Sequence, residues 1–205
     1  IIVEKQTLPD GDQTLFTFTG DVSGAIGDEG KIEMEVSPGT YDFTETVLLG
    51  WNLTDITCDN ENSFGNLETE TATFNINAGE TVTCTFTNTK KAKLTVIKHD
   101  VNDNGGDAVA SDFTMTVTDD LGELEFPGDE EGKTVTVEPG EYSVTETELD
   151  GYISSTEGDC SGFIDVGEEK TCTITNDDVL ILFGYKWEDV DGDGLWQEEE
   201  PGLED

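Results

Sequence analysis

The sequence contains no arginine and only one histidine, and its nine lysines face 48 acidic side chains. The formal net charge of −39 excludes nucleic acid and anionic membrane surfaces as partners, because both would be repelled. No apolar run approaches the length of a membrane-spanning helix, so no membrane insertion is expected. No signal peptide is recognisable, which predicts a mature chain or a piece of a longer one. The negative charge favours divalent cations as ligands, or a salty medium in which the repulsion is screened.

Helical periodicity is also nearly absent, and most of the sequence consists of short strand-like segments. They are rich in Thr, Val, Ile and Phe and are separated by Gly, Asp and Pro-Gly turns. High net charge is typical of disordered chains too, but here the acidic residues interleave with regular strand patterns rather than forming long runs. The sequence therefore predicts an all-β protein built from antiparallel β-sandwiches.

Three segments occur twice at matching spacing, which indicates two tandem domains. The matching pairs are residues 38–46 (PGTYDFTET) with 139–147 (PGEYSVTET), residues 79–88 (GETVTCTFTN) with 167–176 (GEEKTCTITN), and residues 1–5 (IIVEK) with 94–98 (LTVIK). We expect β-sandwich domains over residues 1–92 and 93–178, each near the size of an immunoglobulin-like sandwich. Residues 179–205 then form an incomplete third β unit.

Each copy places three polar side chains on strand faces that are otherwise apolar. Residues two apart in a strand share a face, so Glu45 lies on the same face as Tyr41 and Phe43. By the same alternation, a lysine and an asparagine in each copy, and the glutamate of the second copy, also lie on apolar strand faces. The six residues are Lys5, Glu45 and Asn88 in the first copy and Lys98, Glu146 and Asn176 in the second. Burial of an unpaired charge is costly, so we expect these groups to be paired, neutralised or consumed chemically.

The four cysteines follow the duplication. They allow three pairings, of which only Cys58–Cys84 with Cys160–Cys172 gives each copy its own bridge. Free buried thiols are the alternative; zinc is disfavoured because no CxxC spacing occurs and His99 is the single histidine. Disulfides would indicate an oxidising, extracellular setting.

These segments resemble the prealbumin-like, collagen-adhesin B-type domains of bacterial and archaeal surface proteins and pilins. The resemblance covers residues 1–178. It comprises a lysine on the first strand, a Pro-Gly-x-Tyr-x-x-Thr-Glu-Thr hairpin, a Gly-aromatic step and a closing Thr-Asn. The resemblance implies a prealbumin-like sandwich for each copy.

Many members of that family form an intramolecular isopeptide bond from the first-strand lysine to the last-strand asparagine, with the glutamate as catalyst. By resemblance, the first copy would link Lys5 to Asn88 with Glu45 as catalyst. The second copy would link the corresponding residues, which are Lys98, Asn176 and Glu146. An apolar pocket suits this chemistry, because it favours a neutral amine and a protonated carboxyl group. The alternative is a buried Lys–Glu pair hydrogen-bonded to Asn without a covalent link.

The C-terminal segment carries a different signal, a calcium loop. Residues 189–200 read DVDGDGLWQEEE, and oxygen ligands fall at the six required positions: Asp189, Asp191, Asp193, the Leu195 carbonyl, Gln197 and Glu200. The flanks are strand-like, and the segment resembles the opening of a B-type domain of serine-aspartate repeat surface proteins. In this alignment Trp187 stands where Lys98 does, so the third unit lacks the lysine.

The same alignment gives the second copy a degraded loop formed by Asp100, Asn102, Asn104 and Gly105. Ser111 stands at its twelfth position, where calcium loops have an acid, so no calcium is expected there. Residues 179–183 form an apolar segment without partner strands of its own. Either the protein continues, or another copy or an adjacent domain completes this unit by strand addition.

We therefore expect a non-enzymatic, extracellular structural module of a surface stalk or filament, reinforced by intradomain crosslinks and calcium. The alternative is an adhesin module whose loops bind a host or matrix partner. An enzyme is disfavoured, because no catalytic nucleophile motif or acid pair occurs outside the crosslink residues. Asn52 begins a glycosylation sequon, a weak signal on its own.

Overall fold

The computed structural model describes residues 1–21, 23–180, 188 and 190 of the chain. Alternating apolar and Thr-rich segments form nine strands in the first domain. These are β1 (Ile2–Leu8), β2 (Phe16–Gly20), β3 (Gly24–Ile26), β4 (Lys31–Glu33), β5 (Gly39–Thr46), β6 (Trp51–Cys58), β7 (Phe64–Asn66), β8 (Thr71–Ile76) and β9 (Thr83–Lys90). They make a four-stranded sheet of order β4-β1-β9-β6 and a five-stranded sheet of order β3-β2-β5-β8-β7.

The second domain repeats this arrangement with eight strands. These are β10 (Ala92–Val101), β11 (Thr114–Asp119), β12 (Gly122–Pro127), β13 (Lys133–Val137), β14 (Gly140–Glu146), β15 (Tyr152–Gly158), β16 (Ser161–Ile164) and β17 (Glu169–Asp178), with a short 3₁₀ turn at Ala110–Asp112. Its sheets have the orders β13-β10-β17-β15 and β12-β11-β14-β16. The all-β tandem architecture predicted from the sequence is therefore confirmed.

The sequence predicted antiparallel sandwiches, but each domain also contains one parallel strand pair. In each domain the first strand pairs in parallel with the last strand, β1 with β9 and β10 with β17. Strand periodicity reveals which face a side chain occupies, but it contains no information on strand order or direction. The parallel pairs matter for function, because they bring the first-strand lysine next to the strand that carries the asparagine.

Each domain has its own apolar core between its two sheets. The first core is rich in aromatic side chains, with edge-to-face contacts between Phe18 and Phe86 and between Phe43 and Phe74. The second core consists mostly of aliphatic side chains around Phe113 and Met115. Among the residues that the structure describes, no helix has the length and hydropathy that a membrane span requires.

The two domains are joined by a single residue, Lys91, between β9 and β10. The Glu138 carboxylate of the second domain bridges this joint: it pairs with Lys91 Nζ at 2.6 Å and accepts a hydrogen bond from the Asn52 side-chain amide at 2.6 Å. The Gly167 amide also donates to the Lys90 carbonyl. These contacts give the joint a defined geometry.

Of the expected third unit, the structure describes residues 179, 180, 188 and 190. Val179 and Leu180 lie outside any strand, and the Val179 amide donates to the Gly151 carbonyl at 2.8 Å. The remainder of the predicted strand over residues 179–183 lies outside the described residues.

Candidate crosslink site

Lys5 lies in the middle of β1 and points into the core of the first domain. Its side chain is fully buried, and Nζ sits 4.3 Å from the centroid of the Phe16 ring. Nζ donates hydrogen bonds to the Gln6 carbonyl at 2.6 Å, the Phe86 carbonyl at 3.1 Å and Asn88 Oδ1 at 3.0 Å. Two of these three acceptors belong to β9, so the parallel pairing of β1 and β9 creates the contact.

Glu45 completes the cluster from the opposite sheet. It ends the buried face of β5 and is itself fully buried. Its Oε1 accepts a hydrogen bond from Asn88 Nδ2 at 2.6 Å, and its Oε2 lies 3.9 Å from Lys5 Nζ. No hydrogen-bond donor contacts Oε2 among the residues described. The three side chains predicted to meet in the first domain therefore do meet.

Burial changes the pKa of both ionisable groups in directions that bring their proton affinities together. It lowers the pKa of Lys5 from 10.5 to about 8, although the charges of Glu45 and Asp28 act in the opposite direction. Burial also raises the pKa of Glu45, against the charge of Lys5 and the hydrogen bond from Asn88. A low-dielectric site disfavours both charged forms, so a proton moves from the amine to the carboxylate at a smaller free-energy cost than in water.

The geometry suits amide exchange better than it suits a passive ion pair. Glu45 contacts the Asn88 amide nitrogen, which would be the leaving group in such an exchange. Lys5 Nζ itself contacts the carbonyl oxygen. One carboxyl group thus lies between the nucleophile and the leaving group, where it can carry a proton from one to the other.

The second domain departs from this arrangement in the partner of its lysine, whereas the predicted contact of Glu146 with Asn176 is present. Lys98 is fully buried, but its Nζ pairs with Asp100 Oδ1 at 2.7 Å and donates to the His99 carbonyl at 2.7 Å. Glu146 is only half-buried; it is hydrogen-bonded to Asn176, and burial raises its pKa. Asn176 Oδ1 is buried and has no hydrogen-bond partner within the described part of the chain.

The degraded loop of the second domain is organised around a carboxylate. Backbone amides of Asn104 and Gly106 donate to the Asp178 side chain at 2.6–3.0 Å. These hydrogen bonds hold the pKa of Asp178 below its usual value, although its partial burial acts in the opposite direction. Ligand oxygens of Asp103, Asp177 and Asp178 lie within 4.8 Å of one another here, and the expectation that this loop does not bind calcium stays a prediction.

The two disulfides have the predicted pairing, Cys58–Cys84 and Cys160–Cys172. Cys58 and Cys84 stand opposite each other on the antiparallel strands β6 and β9. The second bridge joins β17 to the residues that follow β15. No cysteine is free. Each domain is thus closed by one bridge to its last strand.

Other predicted positions have structural partners or are not described. Trp51 is buried against Phe16, and Asn52 of the sequon donates to Glu138 at the joint. The predicted calcium ligands lie outside the described residues: Asp189, Asp191, Asp193, Leu195, Gln197 and Glu200.

Two residues that shape these sites are not among those predicted from the sequence. Asp100 was interpreted only as part of a degraded metal loop, although it stands two residues after Lys98, where the first copy has Thr7 after Lys5. That difference was visible in the alignment. The interdomain role of Glu138 had no signal in the sequence.

Comparison with known proteins identifies the class. Family profiles described as "Prealbumin-like fold domain" match residues 1–90 and residues 89–177. Together they cover nearly all of the described chain, so the protein belongs to the family of prealbumin-like fold domains. None of the curated proteins matches the sequence.

Solved structures resemble the chain at low sequence identity. The Bacillus anthracis TIE protein is 21% identical with a TM-score of 0.37; the match covers 86% of this chain but 34% of that one. The C-terminal fragment of the pilus adhesin SpaC from Lactobacillus rhamnosus GG is 16% identical with a TM-score of 0.38, over 88% of this chain and 97% of the fragment. The major pilin from Streptococcus pyogenes is 18% identical with a TM-score of 0.28, over 87% and 97% of the two chains.

Proposed function

We propose that this chain is a structural module of an extracellular surface stalk or filament, and that an isopeptide bond between Lys5 and Asn88 closes its first domain. The observation that supports the proposal is the fully buried contact of Lys5, Glu45 and Asn88 between the first strand, the last strand and the opposite sheet. One disulfide in each domain supports an oxidising, extracellular location.

The reaction needs no cofactor and balances within the cluster. Glu45 takes a proton from the Lys5 ammonium, and the neutral amine attacks Asn88 Cγ. Glu45 then gives its proton to Nδ2 and takes the second proton from Nζ, and the C–N bond to Nδ2 breaks to release ammonia. The ammonia accepts the proton held by Glu45 and leaves as ammonium, so the products are a secondary amide and one ammonium ion, and the Glu45 carboxylate is regenerated. This is a single self-directed step and not enzymatic turnover.

The bond would protect the domain against tension along the chain. Force applied at the ends of the first domain enters through β1 and leaves through β9, and the crosslink joins these two strands directly. Residues 6–87 would then carry no load. A stalk or filament needs this property, whereas a freely diffusing protein does not.

The direct test is the intact mass of the reduced, denatured protein. Formation of the Lys5–Asn88 bond removes one ammonia, so the mass should fall by about 17 Da below that of the sequence. Proteolysis should yield a branched peptide that joins the segments around Lys5 and Asn88. An unmodified mass would refute the crosslink.

The stability of an uncrosslinked variant should report the lowered pKa of Lys5. In N88A the amine remains buried, with a pKa of about 8 in the folded state against 10.5 when unfolded. Between these pH values the unfolded chain binds more protons, so stability should rise with pH, by about 3 kcal/mol over the whole interval. Urea unfolding at pH 7.5 and pH 10 measures this change. The double variant K5M/N88A is the control and should lack it; equal pH profiles would contradict the prediction.

We further propose that residues 189–200 bind calcium, which stiffens this end of the module. The partners of the module are neighbouring copies or adjacent domains of the same protein. This proposal rests on the ligand spacing in the sequence. Calorimetric titration should show one calcium site in the wild type and none in D191N/D193N. The control E123Q/E125Q removes the same charge at exposed glutamates of the second domain and should bind normally. Equal binding by all three proteins would show that the loop is not the site.

A further inference from the structure

We propose that Asp100 withholds Lys98 from Asn176, so that only the first of the two domains forms an isopeptide bond. This inference rests on the proposed function, because it concerns control of the same reaction. It assigns to Asp100 the role of a positioning residue that acts through the lysine.

The two lysines occupy equivalent places in their domains. Lys5 Nζ lies 4.3 Å from the centroid of Phe16, and Lys98 Nζ lies 4.0 Å from the centroid of Phe113. Each Nζ also donates to the carbonyl of the following residue, at 2.6 Å for Lys5 and 2.7 Å for Lys98. Both side chains are fully buried. The two lysines therefore differ neither in burial nor in strand position.

The difference lies in one acceptor. Lys5 Nζ donates to Asn88 Oδ1 at 3.0 Å, whereas Lys98 Nζ is bound to Asp100 Oδ1 at 2.7 Å. The carbonyl oxygen that corresponds to Asn88 Oδ1 is Asn176 Oδ1. It is buried and lacks a hydrogen-bond donor in the described chain. An unsatisfied buried oxygen costs about 1–3 kcal/mol, so its presence indicates that a donor expected at this position has been drawn elsewhere.

Strand register explains why a single residue can compete with Asn176 for the lysine. In the parallel pair β1–β9, Thr7 stands opposite Asn88; in β10–β17, Asp100 stands opposite Asn176. Thr7 and Asp100 each follow the lysine by two residues and share its face of the strand. The position beside the asparagine therefore holds a neutral hydroxyl group in the first domain and a carboxylate in the second.

A carboxylate at this position opposes the reaction in two ways. It binds the lysine as an ammonium, which has no lone pair with which to attack. It also holds Nζ at 2.7 Å from its own Oδ1, while Asn176 Oδ1 receives no hydrogen bond from the described residues. Glu130 supports Asp100 by accepting a hydrogen bond from its backbone amide at 2.9 Å.

The consequence is a module with two mechanically different domains. The first domain would be inextensible between Lys5 and Asn88. The second would be held by noncovalent contacts and by a disulfide that closes a loop of only 12 residues. Under tension the second domain would lengthen while the first would not.

The test is a reciprocal exchange, followed by intact mass and crosslinked-peptide mapping after reduction. The wild type should lose one ammonia, with the branched peptide at Lys5–Asn88. D100T gives the second domain the residue of the first and should lose two, with a new branched peptide at Lys98–Asn176. T7D should lose none. The matched control D107T, at an exposed aspartate, should behave as the wild type.

The outcomes separate this inference from the function on which it depends. No ammonia loss in the wild type overturns both. A crosslink at Lys5–Asn88 in the wild type, with no second crosslink in D100T, overturns the role of Asp100 alone, as does a wild type that already carries both. Thermal unfolding of each variant checks folding. If D100T does not fold, D100N is mapped in its place, and the same results decide the question.

Discussion

Replacing Glu45 with glutamine should leave Lys5 and Asn88 unlinked and should produce the largest loss of stability of any single change considered. Glutamine preserves the size and hydrogen-bonding capacity of the side chain, but it cannot accept the proton of the ammonium or transfer it to the leaving amide. The intact mass of E45Q should therefore exceed that expected for a crosslinked E45Q chain by about 17 Da, which is the ammonia it retains.

The expected size of the effect follows from the length of chain that the bond closes. Lys5 and Asn88 are 83 residues apart in the sequence. A covalent link across that span reduces the entropy of the unfolded chain by an amount worth about 4.5 kcal/mol. For a domain of this size the midpoint of thermal unfolding should fall by about 20 °C or more.

Single-molecule extension gives an independent measurement of the same change. With its disulfide intact, an uncrosslinked first domain should lengthen by about 200 Å on unfolding, whereas the crosslinked domain should show no comparable step. E68Q, at an exposed glutamate, is the matched control. K5M also prevents the crosslink but buries no ammonium, so it separates the effect of the lost bond from that of an unpaired charge. A first domain that extends equally in wild type and E45Q would refute the mechanical role.

Removal of the Cys58–Cys84 disulfide should give the second large effect. The bridge closes a loop of 26 residues and joins β6 to β9, the same strand that carries Asn88. The chain-entropy relation predicts a loss of about 3.5 kcal/mol in C58A/C84A. The Cys160–Cys172 bridge closes 12 residues, so C160A/C172A should lose less, about 3 kcal/mol.

Reduction of the wild type provides the control for this prediction. Treatment with a reductant should lower the unfolding midpoint of the first domain by about 15 °C, and the same treatment of C58A/C84A should leave that domain unchanged. Because Cys84 is fully buried, part of the loss in the variant comes from the smaller alanine side chain. A variant that unfolds at the wild-type midpoint would show that the strand pairing alone holds β6 against β9.

Much of this protein could be predicted from the sequence, and the reasons are local. Alternation along β5 places Glu45 beside Phe43 on the buried face, whatever the neighbouring strands are. Duplication selects the disulfide pairing, since only one of three pairings gives each copy its own bridge. Two tandem all-β domains follow from the same pattern and spacing.

The sequence also placed a lysine, a glutamate and an asparagine inside each domain, but it could not establish what each one contacts. That depends on the parallel pairing of the first and last strands, which sets Thr7 opposite Asn88 and Asp100 opposite Asn176. A lysine has four carbons between its backbone and its charge, so neighbours within a few ångströms decide where its nitrogen binds.

The residue types and their faces were thus fixed by sequence periodicity, and the chemistry was decided by tertiary neighbours. Lys5 and Lys98 obey the same periodicity, yet one contacts an amide that can acylate it and the other an acid that binds it. Likewise, the contact of Glu138 with Lys91 and Asn52 exists only because the two domains meet at a one-residue joint. Such contacts join residues far apart in the chain, and the spacing of residues along a strand contains no record of them.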